Sequence, residues 1–262
     1  MGSATTQALA ASTDALAATS GLNLDSAAEL FAAARTIGES GQLSGALADP
    51  AAPAEARRAL VSAVFAGVSA PVRTLLTAVA AQRWSSVSDL VDGIEELAIR
   101  AAAAAAPGDD VATELFGFSR VVAANPELEL ALGGRLGGDA AKLALVERVL
   151  GGAVSPATML IASSLVPRPR ERRVRQVLSR AVRIVAAQAG RSVATVYTAA
   201  PLSAAQEARV RDALARRYGG EISINQVIDE SVVGGLRVQI ADDVIDGSIS
   251  ARLADLRQKL AS

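Results

Sequence analysis

Two stretches of the chain hold the residue types from which a binding or catalytic site could be built. The first, LGGRLGGDAAK at 132–142, is glycine-rich, leads into a helical pattern and ends on Lys142. Phosphate-binding loops use backbone N–H groups and a lysine arranged this way. The Gly-Lys-Ser/Thr ending is missing and no strand precedes the run, so it reads as a turn between helices. The second, RPRERRVR at 168–175, is the densest basic run. It could form a solvated face, meet an acidic partner or bind nucleic acid. Glu171 dilutes it, no aromatic is interleaved, and it lies where a long helix begins, where positive charge is mildly unfavourable. Trp84, the single tryptophan, suits either helix-end packing or a partner contact. The chain has neither Cys nor His, which removes disulfides, thiolate and imidazole metal sites, and the common nucleophile–base pairs. No catalytic, cofactor-binding or metal-ligating residue is expected.

The elements that would position such residues are mostly helices. Of 262 residues, 51% are hydrophobic and only 3% aromatic, with Ala and Leu dominant. These side chains lose little on entering a helix and give thin, closely packed cores. Charge is balanced at a net of −1, which argues against a general binder of nucleic acid or membrane surfaces. The N-terminal segment lacks a basic start and carries Asp14, so no secretory signal is expected. MGSATT fits the Gly2 myristoylation pattern, which is short enough to recur by chance. The uncharged run 149–166 is broken by Gly151, Gly152 and Pro156, and no transmembrane helix is expected there.

The chain also matches itself without a gap when position 29 is laid over position 114. ELFAAARTIGESGQLSGALADP (29–50) lies over ELFGFSRVVAANPELELALGGR (114–135), and ARRALVSAVFAGVSAPVRTLL (56–76) over AKLALVERVLGGAVSPATMLI (141–161). Phe31 meets Phe116, Arg35 meets Arg120, Gly67 meets Gly152 and Pro71 meets Pro156, and a short slip then aligns Val87 with Val174. Each copy reads as short helices between Gly/Pro turns. Ser26 with Glu29 suggests a capping box, Ser86 with Asp89 a cap for a long helix, and Asp110 a cap in the second copy. A helix from Pro53 is expected to end at Gly67, and a long one to cover about 170–189. After Gly190 the period changes to strands at 192–199, 221–228 and 235–241, with a helix capped by Ser203 and Gln206 and another closing the chain. The expected class is mainly α: two repeated helical-bundle units, 1–108 and 109–190, then a small β-α-β-β-α domain, 191–262.

The most specific string is IDESVVGGLRVQIADDVIDGSISARLADLRQKL at 228–260. Gly234-Gly235 before a strand suggests a bulge or a turn with positive φ. Asp246-Gly247 suggests a tight turn, and Ser248 a cap. Asp229, Val232, Val233, Gly234, Gly235, Leu236, Val238 and then Asp246, Gly247 and Ser248, ahead of a charged terminal helix, resemble the C-terminal signature of the ATP synthase delta family. That family is related to the mitochondrial oligomycin-sensitivity-conferring protein. Upstream, LSGALADPAAPAEARRALVSAVF at 43–65 resembles the family's helical domain. The second copy departs from the usual single helical domain; with one copy taken out, the chain would be about the size of a single-copy member. The first helix also lacks the family's Arg/Tyr-containing start.

The resemblance implies a non-catalytic peripheral-stalk connector in an F-type ATP synthase. It would be present once per complex, at the cytoplasmic face of the cell membrane. Its helical region would bind the α subunits of the catalytic head, and its C-terminal domain the b-subunit stalk, resisting torque during proton-driven ATP synthesis. No small-molecule substrate and no nucleic acid are implied. Asp229, Gly234, Gly235, Leu236, Val238, Asp246, Gly247 and Ser248 would be structural signature residues. The rival readings are a helical-repeat adaptor of another complex and an Arg-rich nucleic-acid binder using 168–175 and the helix around 209–217.

Overall fold

Alanine-rich stretches with punctuating Gly, Pro, Ser and Asp dictate many short helices. The computed structural model describes residues 2–134, 137–170, 172–232, 234–240 and 243–249. They divide into two compact units, Met1–Ile184 and Val185–Ser262.

In the first unit the helices are α1 (Ser3–Ala18), α2 (Leu24–Glu39), α3 (Gly41–Ala48), α4 (Ala54–Val64), α5 (Ala70–Ala81), α6 (Val87–Ala104), α7 (Val111–Ala124), α8 (Pro126–Gly133), α9 (Asp139–Leu150) and α10 (Pro156–Leu165). Helix α11 (Val174–Gln188) spans the division between the units. Side-chain oxygens of Ser40, Ser86, Asp110 and Ser155 cap α3, α6, α7 and α10 by accepting from a backbone N–H in the first turn.

The repeat is visible in the packing. In both copies the helices α2 to α5, and their counterparts α7 to α10, contact one another in the same order. Helix α6 has a double role. In the register of the repeat α1 falls on α6, and α1 packs on α5 as α6 packs on α10. The inward residues correspond: Thr5, Ala8, Ser12 and Leu16 in α1 become Leu90, Gly93, Leu97 and Ala101 in α6, all buried. Helix α6 also closes the first copy against α2, and that second face buries Val91, Ile94, Ala98, Ile99 and Ala102. On α1 the positions equivalent to Val91, Ile99 and Ala102 are exposed Thr6, Asp14 and Ala17. A helix buried on nearly every side belongs at the centre of a bundle. Here it is the last helix of one copy and the first of the next.

Some expected starts and ends differ. The α2 cap is Asn23, which accepts from Ser26 N at 2.9 Å, so the Ser26/Glu29 capping box does not form. Glu29 instead reaches the N-terminus of α5, accepting from Ser69 N at 3.0 Å and Ser69 Oγ at 2.6 Å. Glu114 does the same for α10, accepting from Ser155 N at 3.0 Å, Ser155 Oγ at 2.6 Å and Thr158 Oγ1. A carboxylate on one helix thus caps the start of another in each copy, at the positive end of its dipole. Helix α4 stops at Val64 rather than Gly67. Helix α11 starts at Val174 rather than near 170, and Arg170 itself lies at φ 48°, outside helical space.

The second unit holds a four-stranded sheet, β1 (Arg191–Thr198), β2 (Glu221–Ile228), β3 (Arg237–Ile240) and β4 (Asp243–Asp246), in the order β2-β1-β3-β4. Strand β1 is parallel to β2 and antiparallel to β3, which is antiparallel to β4. The parallel pair needs a crossover, and α12 (Ala204–Tyr218) supplies it. The Ser203–Gln206 capping box starts α12 and Gly219, at φ 75°, ends it. Ala194, Val196, Ile222, Val238 and Ile240 form the core with Leu214 of α12. Strand β4 adds to the three expected strands. The expected closing helix, 246–260, lies outside the described residues from 250 onward.

Candidate functional site

The tail residues converge on one turn system. Gly234 lies at φ 59° and Gly235 at φ 130°, so both need the freedom of glycine. Their backbone runs beside residues 247–249: Gly247 N donates to Leu236 O at 2.9 Å and Ile249 N to Gly234 O at 2.8 Å. A Cβ on Gly235 would lie 2.5 Å from Gly247 O, and one on Gly234 would lie 2.3 Å from Ile249 Cδ1. Leu236 is half-buried against the sheet core and Val238 is buried within it.

Two aspartates fix the ends of this system. Asp229 accepts from Ser231 Oγ at 2.6 Å and Ser231 N at 3.0 Å, and those bonds hold its carboxyl below the ordinary range. Asp229 also meets Arg237 at 3.4 Å, whose guanidinium lies 4.5 Å from the centre of the Tyr197 ring. Asp246 accepts from Ser248 N at 2.9 Å, and its hydrogen bonds from Ser248 likewise lower its carboxyl. Residues 234–236 and 247–249 thus form a backbone crossing, with Asp229 and Asp246 at its ends.

The basic run is engaged within the first unit. Arg170 pairs with Asp92 and, at 3.0 Å, with Glu95; Arg172 meets Glu95 at 3.1 Å; Arg180 meets Glu96 at 3.2 Å. Arg168 pairs with Glu39 and Asp139, and Arg175 meets Glu129 at 2.9 Å. Burial, reinforced by Arg172 and Arg180, lowers the Arg170 guanidinium to about 10. Burial also raises the Glu95 carboxyl against the opposing pull of Arg172 and Arg180. The reading of 168–175 as a solvated face is corrected to this extent: most of its arginines are paired, and Arg170 and Arg172 tie the second copy to an acidic edge of α6. The signal was present in the sequence as Asp92, Glu95 and Glu96, whose spacing puts them on one face of α6.

Lys142 is buried, and its Nζ donates to Pro167 O at 3.4 Å. That placement fits an interhelical turn rather than a phosphate loop; Arg135 and Leu136 lie outside the described residues. Trp84 is a packing residue, 5% exposed. Its Nε1 donates to Val79 O at 3.1 Å, and its ring lies on Gly93, where a Cβ would sit 2.3 Å from Cη2.

Among the described residues no helix is long and apolar enough to cross a membrane. The profile of a family described as ATP synthase delta (OSCP) subunit matches residues 98–260. The match begins in α6, the helix that opens the second copy, and excludes residues 43–65, where the upstream resemblance lies. The chain is 50% identical over 263 residues to "ATP synthase subunit delta" of Leifsonia xyli subsp. xyli, covering 100% of each chain. It is 40% identical to the protein of that name in Streptomyces avermitilis, covering 89% of this chain and 88% of the relative. In Thermobifida fusca the identity is 38%, with the same coverage. The first copy is therefore shared with relatives of similar length, and the chain belongs to the ATP synthase delta (OSCP) subunit family.

Proposed function

We propose that the chain is a non-catalytic connector of the peripheral stalk in an F-type ATP synthase. Its helical region, within 1–190, meets the α subunits of the catalytic head, and 191–262 grips the b-subunit stalk. One copy per complex, held at the cytoplasmic face of the membrane, resists the torque of rotary catalysis. The family match carries this reading, because it runs through both the second helical copy and the sheet. Helical bundles offer grooves for amphipathic partner helices. The signature residues Asp229, Gly234, Gly235, Leu236, Val238, Asp246, Gly247 and Ser248 act by fixing the shape of the stalk-binding end.

Native mass spectrometry of the chain with a delta-depleted catalytic head and a soluble b-subunit stalk tests the proposal. A ternary species with one copy of the chain is expected. Deleting 191–262 should abolish stalk binding and leave head binding. Stalk binding that survives the deletion would reverse the assignment of the two ends.

A further inference from the structure

The two copies differ in chemistry at one buried cation. In the first, Arg57 is 4% exposed and its guanidinium fills five carbonyls. Nε donates to Ala80 O at 2.8 Å, Nη1 to Asp49 O at 3.0 Å and Ala52 O at 2.8 Å, and Nη2 to Ala81 O at 3.1 Å and Gln82 O at 3.3 Å. It closes the C-terminal ends of α3 and α5. Lys142 takes the equivalent position in the second copy. It is 7% exposed and reaches only Pro167 O, the counterpart of Gln82, at 3.4 Å among the described residues. An ammonium has three donors, so most of this one's capacity is left over.

Lys142 is also among the residues that line a cleft of about 580 Å³, with Glu129, Leu130, Arg172, Arg173 and Arg175. Arg175 is matched by Glu129 and Arg172 by Glu95, which leaves Lys142 and Arg173 with no carboxylate among the described residues. The N-terminal end of α11 opens on the same wall at Val174 and adds its positive dipole end. Beside these cations Leu130 is 74% exposed. No aromatic ring lines the cleft, as a nucleic-acid groove would want for stacking bases. We propose that the cleft docks an acidic, amphipathic helical segment of another subunit. A carboxylate reaches Lys142 and Arg173, and an aliphatic side chain covers Leu130. The inference rests on the reading that the chain works inside the ATP synthase.

The test uses the full chain reconstituted into the complex and treated with a carbodiimide, which joins an amine to a touching carboxylate. Lys142 and Lys259 are the only lysines, so a product in which a lysine of this chain supplies the amine maps to one of two sites. A peptide joining Lys142 to an Asp or Glu of another subunit is expected. Arg173→Glu and Leu130→Ser should each weaken assembly about tenfold, the former more at low salt. Lys142→Arg should shift its two readouts in opposite directions: a higher melting temperature, because the carbonyls fill as they do around Arg57, and weaker assembly. Unchanged assembly in all three variants, with no crosslink from Lys142 to another subunit, overturns the proposal. Salt-sensitive capture of a DNA duplex that Arg173→Glu abolishes also overturns it. Failure of the unaltered chain to enter the complex is a different result, and sinks the connector reading itself.

Discussion

Replacing Gly235 with alanine should destabilise the second unit while leaving the first intact. At φ 130° an L-residue is strained by about 1–3 kcal/mol. The added Cβ would also lie 2.5 Å from Gly247 O and 3.1 Å from both Gly247 C and Ser248 Cα. Those are backbone atoms that cannot swing aside, so overpacking adds about another 1–3 kcal/mol. The total is about 4 kcal/mol. A unit of the size of Val185–Ser262 holds about 4–12 kcal/mol altogether. Gly220→Ala is the matched control: Gly220 has φ 74° but nothing within 4 Å of a Cβ, so it suffers strain alone, about 1–2 kcal/mol. Hydrogen exchange of the β1, β2 and β3 amides reads the second unit, and fluorescence of Trp84 in urea reads the first. Gly235→Ala should cut sheet protection by about three orders of magnitude, Gly220→Ala by about one, and neither should move the Trp84 transition. Equal losses in the two variants would refute the close-contact argument, and unchanged protection in Gly235→Ala would refute the strain argument as well.

Other positions give independent checks. Gly93→Ala drives a methyl into the Trp84 ring and should cost about 1–2 kcal/mol, net of the helix propensity gained, with a visible shift in Trp84 emission. Arg57→Lys should lower the thermal stability of the first unit by about 2–3 kcal/mol, because one ammonium cannot span carbonyls at the ends of two helices. Burial pulls the Glu114 carboxyl up, and hydrogen bonds from Ser155 and Thr158 outweigh it, so the folded value lies below the ordinary one. The stabilisation is therefore complete above about pH 5 and fades as the pH falls through the lowered value. The stability of Glu114→Gln, followed by denaturant titration across acid pH, should fall less steeply in that range than that of the unaltered chain.

Local signals carried much of the fold. Ser86, Asp110 and the Ser203–Gln206 box were readable because a cap needs only residues three or four positions apart. Strands β1 to β3 announced themselves by β-branched residues and alternation. Strand β4 did not, since DVID is short and half charged. The Glu29 and Glu114 caps join residues 40 and 41 positions apart, and no short-range pattern contains them. Glycines 234 and 235 were legible as conformational needs, but the backbone they make room for at 247–248 was not. The basic run was visible, whereas its partners Asp92, Glu95 and Glu96 lie far upstream, in a helix whose shared role emerges only when both copies are packed.

That shared helix has a mechanical consequence. Tandem domains usually meet through a linker, which absorbs load by straightening before either domain feels it. Between the two copies here no such segment exists: residues 87–104 are interior to both. A pull on α10 is borne at once by side chains wedged between α2 and α6, so slack is absent and strain passes directly into close-packed, poorly compressible matter. Lengthening the molecule by a further copy in this manner extends its reach without adding a joint.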